Sequence, residues 1–586
     1  MLYKFSNTSL NFTKLFALSI ATFTLLTSAS CAQAQNPDQV QSQTKDQTNL
    51  PPDVAFSNVT GDVFIPNFSY AGYGYGLEDI PDFKGARILI AEDFNITPDD
   101  DKDDSEAFLK LLDKANSMSG DIVIQLPKGR IEISEIIPIT RSNIVFRGMG
   151  DGKGGTEIHM PRPLSMIDTK GKFDEINEYL TRLKKIQREP DRNVELQFSD
   201  YSWTGGFFWI GPKDYRAAAY LEELDRPDTI LSEALTGNRG DRRLEVENGA
   251  KLEKGDDVEL VWFSRDGAEG GIIQSLYGNT DLKVGSHHWT FPDRGLVRQK
   301  TQISEIQDNV VTLADPLLHP VSEDVPASLV DWSPLHKIGF EDIAFTFPEG
   351  VSFGHHLEQG FNAIYFAGAM HSWVRDITVH NADSGILSYG SANLTLDNVT
   401  TTGMREAHYS IHAGNVHNVL VSDLSVQNRV RHALTVNTQS TKTVFLRSEV
   451  FQQPTLDQHA GSNHQNLFDQ TIFHLDANET NGKPSYPVWD GSGAGYWQPG
   501  HGRFSTTYNL ELRVKSGASR NQTVIAEGTA EGPDARIIGI WGNRPISINY
   551  RPRPAEALIG VEPEVKSLYE WQLKQRKIEL GLPMKK

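Results

Sequence analysis

The sequence predicts an all-β protein built as a solenoid of stacked β-coils, and three observations lead there. Between Ser372 and Asp476 the segments WVRDITVHN, LTLDNVTTTG, VLVSDLSVQN, FLRSEVFQQ and LFDQTIFHL each place a polar residue before a β-rich apolar run. Their anchors, Ile377, Val399, Leu424, Val450 and Ile472, are 22, 25, 26 and 22 residues apart, with no helical segment between them. The chain also carries 49 Gly and 29 Pro among 586 residues, enough for many turns. A period in the twenties made of short strands and turn residues is how stacked coils read. Strands of successive coils lie about 4.8 Å apart, so residues one period apart become neighbours in space.

Taken in order, Met1 to Ser30 reads as an export signal, with Lys4 and Lys14 before the apolar stretch LFALSIATFTLL. That stretch is too short for a stable spanning helix. Ala32-Gln33-Ala34 fits an ordinary cleavage site, whereas Ser28-Ala29-Ser30-Cys31 resembles a bacterial lipobox. Cys31 is the only cysteine in the chain, which favours a lipid anchor there over a soluble exported product. No intramolecular disulfide is available to the mature fold. Gln35 to about Pro52 is polar and Pro-containing and reads as a flexible tether.

The next segment, DFNITPDDDKDDSEAFLKLLDKA followed by GDIVIQLPKGRIEISEIIPITRSNIVFRGMG, carries a helix and the first strands. Ser105 is the expected N-cap, and Ala107, Phe108, Leu111, Leu112 and Ala115 form an apolar stripe at helical spacing. The acidic run Asp99 to Asp104 reads as a solvated loop, with a calcium loop as the alternative. This stretch resembles the opening of pectate-lyase-like proteins, through Asp93, Phe94, Asp103, Asp104, Gly120, Pro127, Gly129, Arg147, Gly148 and Gly150. The resemblance implies a right-handed parallel β-helix whose first coil is covered by the capping helix. It also implies a shallow groove several sugars long and the processing of polysaccharides, with calcium as the cofactor such proteins often use to bridge substrate carboxylates.

From His159 to about Trp332 the coil rhythm is lost. FDEINEYLTRLKKIQ reads as an amphipathic helix, and two β-hairpins are expected to turn at Asn248-Gly249 and Asp308-Asn309. Trp203, Phe207, Phe208, Trp209, Trp262 and Trp289 are either core or sugar-stacking residues. The rhythm returns at Lys337, and the loop PEGVSFGHHLEQG brings in His355 and His356, expected to contact substrate. After Asp476 the stretch KPSYPVWDGSGAGYWQPGHGRF is expected to fold over a coil face, bringing Trp489 and Trp497 near the groove. Coil strands NLELRV and ARIIGIWG and a terminal helix complete the chain. The divisions are signal peptide 1–30, tether 31–55, N-terminal coils with cap helix 56–159, an inserted α+β lobe 160–335, main coils with the catalytic groove 336–550, and a helical tail 551–586.

The net charge of −20 argues against nucleic acid as a partner, since phosphate binding needs a basic face. It leaves room for an anionic polysaccharide held by a local basic groove, and a monomer is expected. Nine of the seventeen histidines fall between His371 and His474. His408, His432 and His459 are 24 and 27 residues apart, close to one period each, and are expected to stack near Arg405, Tyr409, His412, Arg429 and Arg431.

A polysaccharide lyase removes the proton beside a uronic carboxylate and expels the 4-linked sugar. It needs a cation for the carboxylate, a base for C5–H and an acid for the leaving oxygen, tasks that suit Arg, His and Tyr. The expected base is His408 or Tyr409, with Arg405 or Arg431 as neutraliser and His432 in support; His412, His459 and His464 are expected to contact substrate. On a regular strand His408 and His412 share a side and Tyr409 takes the other. A glycoside hydrolase, the runner-up, needs two flanking carboxyl groups; Asp383, Glu406 and Asp457, 23 and 51 residues apart, are its candidates. A non-catalytic glycan-binding β-helix is the third reading, and the histidine density speaks against it. The sequence leaves metal binding open: no His-x-x-x-His pair falls on an expected helix, and His408 and His412 would stand about 13 Å apart on a strand, too far to share one zinc ion.

Overall fold

The computed structural model describes residues 49–58, 64–168, 199–213, 228–264, 270–278, 295–350, 352, 354–459, 461–490, 501–528 and 532–583. The signal segment, Cys31, the 173–187 segment, Trp289 and Trp497 lie outside them. The chain forms a parallel β-helix, coiled in the right-handed sense that parallel crossovers adopt. Its walls are a 17-stranded sheet and an 11-stranded sheet. In the smaller sheet, parallel pairing runs from Ile137–Ile139 through Phe208–Ile210, Asn362–Ala367, Ser384–Tyr389, Ala407–Gly414, Val430–Asn437, Leu456–Gln458 and Lys483–Asp490.

The register of this sheet explains the core. Ile364, Ile386, Ile411, Leu434, Leu456 and Trp489 are paired in succession and point inward, all buried. Each such side chain stabilises the coil by about 1.5–3 kcal/mol. One residue along, the paired column Tyr365, Leu387, His412, Thr435, Asp457 and Asp490 turns outward. The larger sheet keeps the expected rung at Ile377 and Val399, which pair directly. Ser425 pairs with Thr400, which keeps Leu424 level with Val399, but Val450 pairs with Val426 and with Phe473, so the spacing-based anchors slip by two residues at Val450 and by one at Ile472. A two-residue offset keeps the same face inward, which is why periodicity alone did not reveal it.

The capping helix spans Ser105–Asn116, with Phe108, Leu111, Leu112 and Ala115 buried. Its N-cap is Asp104 rather than Ser105, and the Asp103 carboxylate accepts the Ser105 N–H at 2.9 Å. Phe108 begins an aromatic stack with Phe146, Phe208 and Phe340 that seals the first coils.

The insertion is a closed six-stranded antiparallel barrel, built from Ile230–Thr236, Arg243–Val246, Asp257–Phe263, Gly295–Gln307, Val310–Leu313 and Ala327–Asp331. A hairpin does turn at Asp308-Asn309, but none turns at Asn248-Gly249. There Gly249–Lys251 is a short 3-10 helix, and the flanking strands are not neighbours in the barrel. Phe208–Ile210 lies within the interval read as insertion yet pairs into the coil sheet, so the chain leaves the solenoid, returns for one strand and leaves again. After the barrel, Ile338–Thr346 stacks directly on Ile144–Arg147 and Thr156–His159, closing the gap.

The barrel packs on the outward side of the coils. Lys300 Nζ donates to Asn415 Oδ1 at 2.8 Å, and the Gln439 amide donates to the Gly295 carbonyl at 2.8 Å. The terminal helix Leu568–Glu579 lies against the larger sheet, where the Asp469 carboxylate accepts the Ser567 hydroxyl at 2.7 Å and the Tyr569 N–H at 2.8 Å. Of the stretch expected to fold over the coils, Lys483–Asp490 is instead a coil strand, and residues 491–500 lie outside the described residues. Trp489 is 1% exposed and donates from Nε1 to Thr507 Oγ1 at 2.9 Å, so it is core and not a groove residue.

Candidate active site

The site forms where the loop 354–360 folds back against the ends of Ala407–Gly414 and Val430–Asn437. Asp383 sets that loop: its carboxylate accepts the N–H groups of Gln359, Gly360 and Phe361 at 3.0, 3.0 and 3.1 Å. Burial raises the Asp383 carboxyl, against the pull of these donors and of Arg405. On the facing side, Gly403 has a φ of 119° and an added Cβ would run into Asn381. Only glycine fits there, in the turn that precedes the 407–414 strand.

Four histidine rings meet in consequence. His408 lies 4.7 Å from His355, 5.6 Å from His356 and 5.2 Å from His432, between ring centroids. Nε2 of His432 is 3.2 Å from Nε2 of His355. His459 stands edge-on to His432 at 5.1 Å. Two carboxylates stand behind the rings. Glu358 Oε1 is 3.2 Å from His408 Nδ1, and its other oxygen accepts the Ser202 hydroxyl at 2.6 Å. Asp457 lies between His432 and His459, at 3.2 and 3.4 Å from their Nδ1 atoms.

Burial alone would raise the Asp457 carboxyl, but the flanking His432 and His459 hold it well below the usual carboxylate range. Burial opposes protonation of His459, yet Asp457 carries its pKa upward. Burial and the neighbouring rings depress His355, His408 and His412, the last to about 3. These rings are therefore neutral imidazoles with a free lone pair at neutral pH.

Tyr409 and His408 do not diverge as a regular strand would require. Their rings stack at 4.2 Å with an interplanar angle of 11°, and Tyr409 also meets His412 at 4.7 Å. Tyr409, in register with His432, is buried under the barrel and braces the cluster from below. Arg431 is exposed at the rim, near enough to His356 to disfavour its protonation. Trp203, from the segment before the barrel, meets His356 edge-on at 5.6 Å.

Three expected site residues are elsewhere. Arg405 is 3% exposed and donates to the carbonyls of Asn381 and Pro348, both at 3.0 Å, with its guanidinium 4.6 Å from the Phe361 ring centre. It clamps the frame and does not face a groove. His464 is buried under the barrel. Its Nδ1 bonds to the Ser462 carbonyl at 2.8 Å and its Nε2 to His319 Nε2 at 2.8 Å. A carbonyl only accepts, so His464 Nδ1 carries the proton and His319 Nε2 is the donor in the second bond. Trp489 is in the core, and Trp497 is outside the described residues. Of the hydrolase candidates, Asp383 is tied to backbone N–H groups, Asp457 to histidines, and Glu406 lies 3.9 Å from Arg429 at the surface. Phe207, Phe208 and Trp262 are fully buried.

Glu358 was not singled out from the sequence, although it stands two residues beyond the His355-His356 pair. Ser202 and Trp203 belong to a region with no periodic signal, and only the fold brings them to the loop.

No protein-family model matches the chain, and no curated protein sequence matches it. Solved structures resemble it distantly. The tailspike gp61 of Pseudomonas phage phi297 is 11% identical, with a TM-score of 0.40, over 80% of this chain and 74% of that one. DFA-IIIase of Arthrobacter chlorophenolicus A6 without its lid is 11% identical, TM-score 0.33, over 81% and 94%. An exopolygalacturonase of Thermotoga maritima is 10% identical, TM-score 0.28, over 80% and 93%. The fold assignment here rests on the strand pairing, which has the parallel coils of the pectate-lyase-like β-helices that the opening segment resembles.

Proposed function

We propose that this chain is an exported polysaccharide lyase that cleaves a uronic-acid-containing glycan by β-elimination. The observation that carries the reading is the placing of charge in the cluster. Its two carboxylates, Glu358 and Asp457, are buried behind histidines, while imidazoles and Arg431 occupy the rim. A hydrolase needs a carboxyl pair flanking the bond; here Asp457 is enclosed by two histidines, and Asp490, part-exposed on the next rung near His459, is the carboxylate on which that runner-up reading would rest. In the proposed reaction Arg431 binds the uronate carboxylate. His459, part-exposed and backed by Asp457, takes the C5 proton. The C4–C5 double bond forms as the C4–O bond breaks, and the proton held on His459 passes to the leaving oxygen. Trp203 supplies an apolar ring for a sugar face. Export fits the N-terminal signal, with Cys31 as the proposed lipid anchor.

The test is incubation of purified protein with a panel of uronic-acid polysaccharides, following ultraviolet absorbance of the unsaturated product. A rise supports elimination. New reducing ends without that absorbance would overturn it in favour of hydrolysis, and neither signal across the panel would leave a glycan-binding protein.

A further inference from the structure

Besides the rim, the cluster has a floor whose chemistry the elimination does not use. We propose that His355, His408 and His432 bind one divalent transition-metal ion of the zinc type. One nitrogen from each of the three lies within 4.8 Å of the others. The His355–His432 Nε2 separation of 3.2 Å is that of two donors on one ion, since tetrahedral bonds of about 2.0–2.1 Å set donors about 3.3 Å apart.

His408 supplies an independent observation. It is 1% exposed, and neither ring nitrogen makes a hydrogen bond among the described residues. A buried imidazole left in that state needs a partner. Its Nδ1 faces Glu358 at 3.2 Å but without hydrogen-bond alignment, which leaves Nε2 for the cluster interior. His432 repeats the arrangement, with Nδ1 toward Asp457 and Nε2 toward His355. Carboxylates behind metal-binding imidazoles hold the ring orientation and raise donor strength.

Three imidazoles select zinc, cobalt, nickel or copper, whereas calcium takes six to eight oxygens. Two of the donors sit on adjacent paired strands, and the third sits on the loop that Asp383 secures. His355 is the exposed member, so the fourth position opens toward the rim. There the ion would add a second grip on the carboxylate that Arg431 binds, a contact that rests on the lyase reading; the binding of the ion does not. A second set, His432, Asp457 and His459, shares one donor with the first. It would draw Asp457 away from its place between the two rings.

The experiment uses the untagged full chain, stripped with chelator and titrated with Co²⁺ and Zn²⁺. Visible absorption reports cobalt coordination, calorimetry reports zinc, and circular dichroism confirms that each variant is folded. One equivalent is expected, with the intense visible bands of tetrahedral cobalt. His355→Ala, a change on an exposed loop, should abolish those bands. Glu358→Gln should weaken affinity by about 10–100-fold. His474→Ala, whose ring pairs with Glu449 away from the site, should change nothing. Absence of binding by the folded chain would overturn the proposal, as would binding undiminished by His355→Ala. Binding that survives His355→Ala but is lost in His459→Ala would move the ion to the second set and equally overturn the assignment. None of these readouts needs a glycan, so failure of the lyase reading leaves a separate record.

Discussion

Nε2 of His432 lies 3.2 Å from Nε2 of His355, across 77 residues of sequence. One ring rides on a coil strand and the other on a loop, and neither has a hydrogen-bonding reason to approach the other unless they share a proton or an ion. Around this pair the cluster divides into a buried floor and a rim that solvent reaches, and the two parts make different demands on mutagenesis.

At the rim, His459→Ala should lower the elimination rate by about 10²–10⁴-fold, the usual worth of a positioned proton-transfer group. Asp457→Asn should act in the same direction, because Asp457 holds His459 by its Nδ1. Initial rates of unsaturated-product formation decide this. Activity that survives both changes would remove His459 from the chemistry.

Arg405 and Arg431, the two arginines near the cluster, should separate cleanly. Arg405→Ala breaks buried bonds to two carbonyls and leaves Asp383 without its cation, at a cost of about 3–5 kcal/mol. Arg431→Ala, at an exposed position, should stay within about 0.5 kcal/mol of the parent in stability while raising KM for an acidic glycan. Thermal melts and Michaelis curves on the same preparations would show whether the effects divide this way or coincide.

Lys442 predicts a pH dependence. Burial pushes its ammonium down to about 7, against the opposing pull of Asp315, and Arg239 adds to the lowering. Its Nζ donates only a long bond, 3.4 Å, to the Asn67 carbonyl. In the unfolded chain the same group titrates near 10.4. Between these values the unfolded state binds more protons, so the Lys442 contribution makes stability rise with pH from about 7 to about 10. Below pH 7 both states are charged and the full cost of burial remains. Lys442→Met should therefore raise the melting temperature most at pH 6 and progressively less toward pH 9. A gain independent of pH would refute the titration.

Phe208→Ala tests the strand that returns to the coils between the two excursions of the insertion. Phe208 is fully buried against Phe108, Phe146, Phe340 and Phe345, and truncation should cost about 3–5 kcal/mol. Chemical denaturation would measure it. A loss below about 1 kcal/mol would mean that the coil relaxes into the space, contrary to a close-packed interior.

The coil architecture was legible in the sequence because its cause is local and repeated. Apolar residues that must face one core recur with the coil period, and the capping helix shows its stripe within twelve residues. The rhythm also marked where histidines accumulate, since His408, His432 and His459 do meet. What periodicity could not supply was the register within a rung, as the slip at Val450 and Ile472 shows, or the direction in which a side chain leaves an irregular strand end. His408 and Tyr409 stack where strict alternation would have parted them.

By itself, then, the sequence determined the solenoid, its cap and the neighbourhood of the histidines, because each follows from short-range patterning of apolar and turn residues. Only the tertiary structure decided which polar residues share a site. Arg405 was taken into the frame, His464 under the barrel and Trp489 into the core, while Glu358, Ser202 and Trp203 were brought in. The physical reason is that burial and pairing of polar groups depend on contacts between distant segments: a carboxylate behind a ring or a barrel laid over a turn leaves no period in the chain.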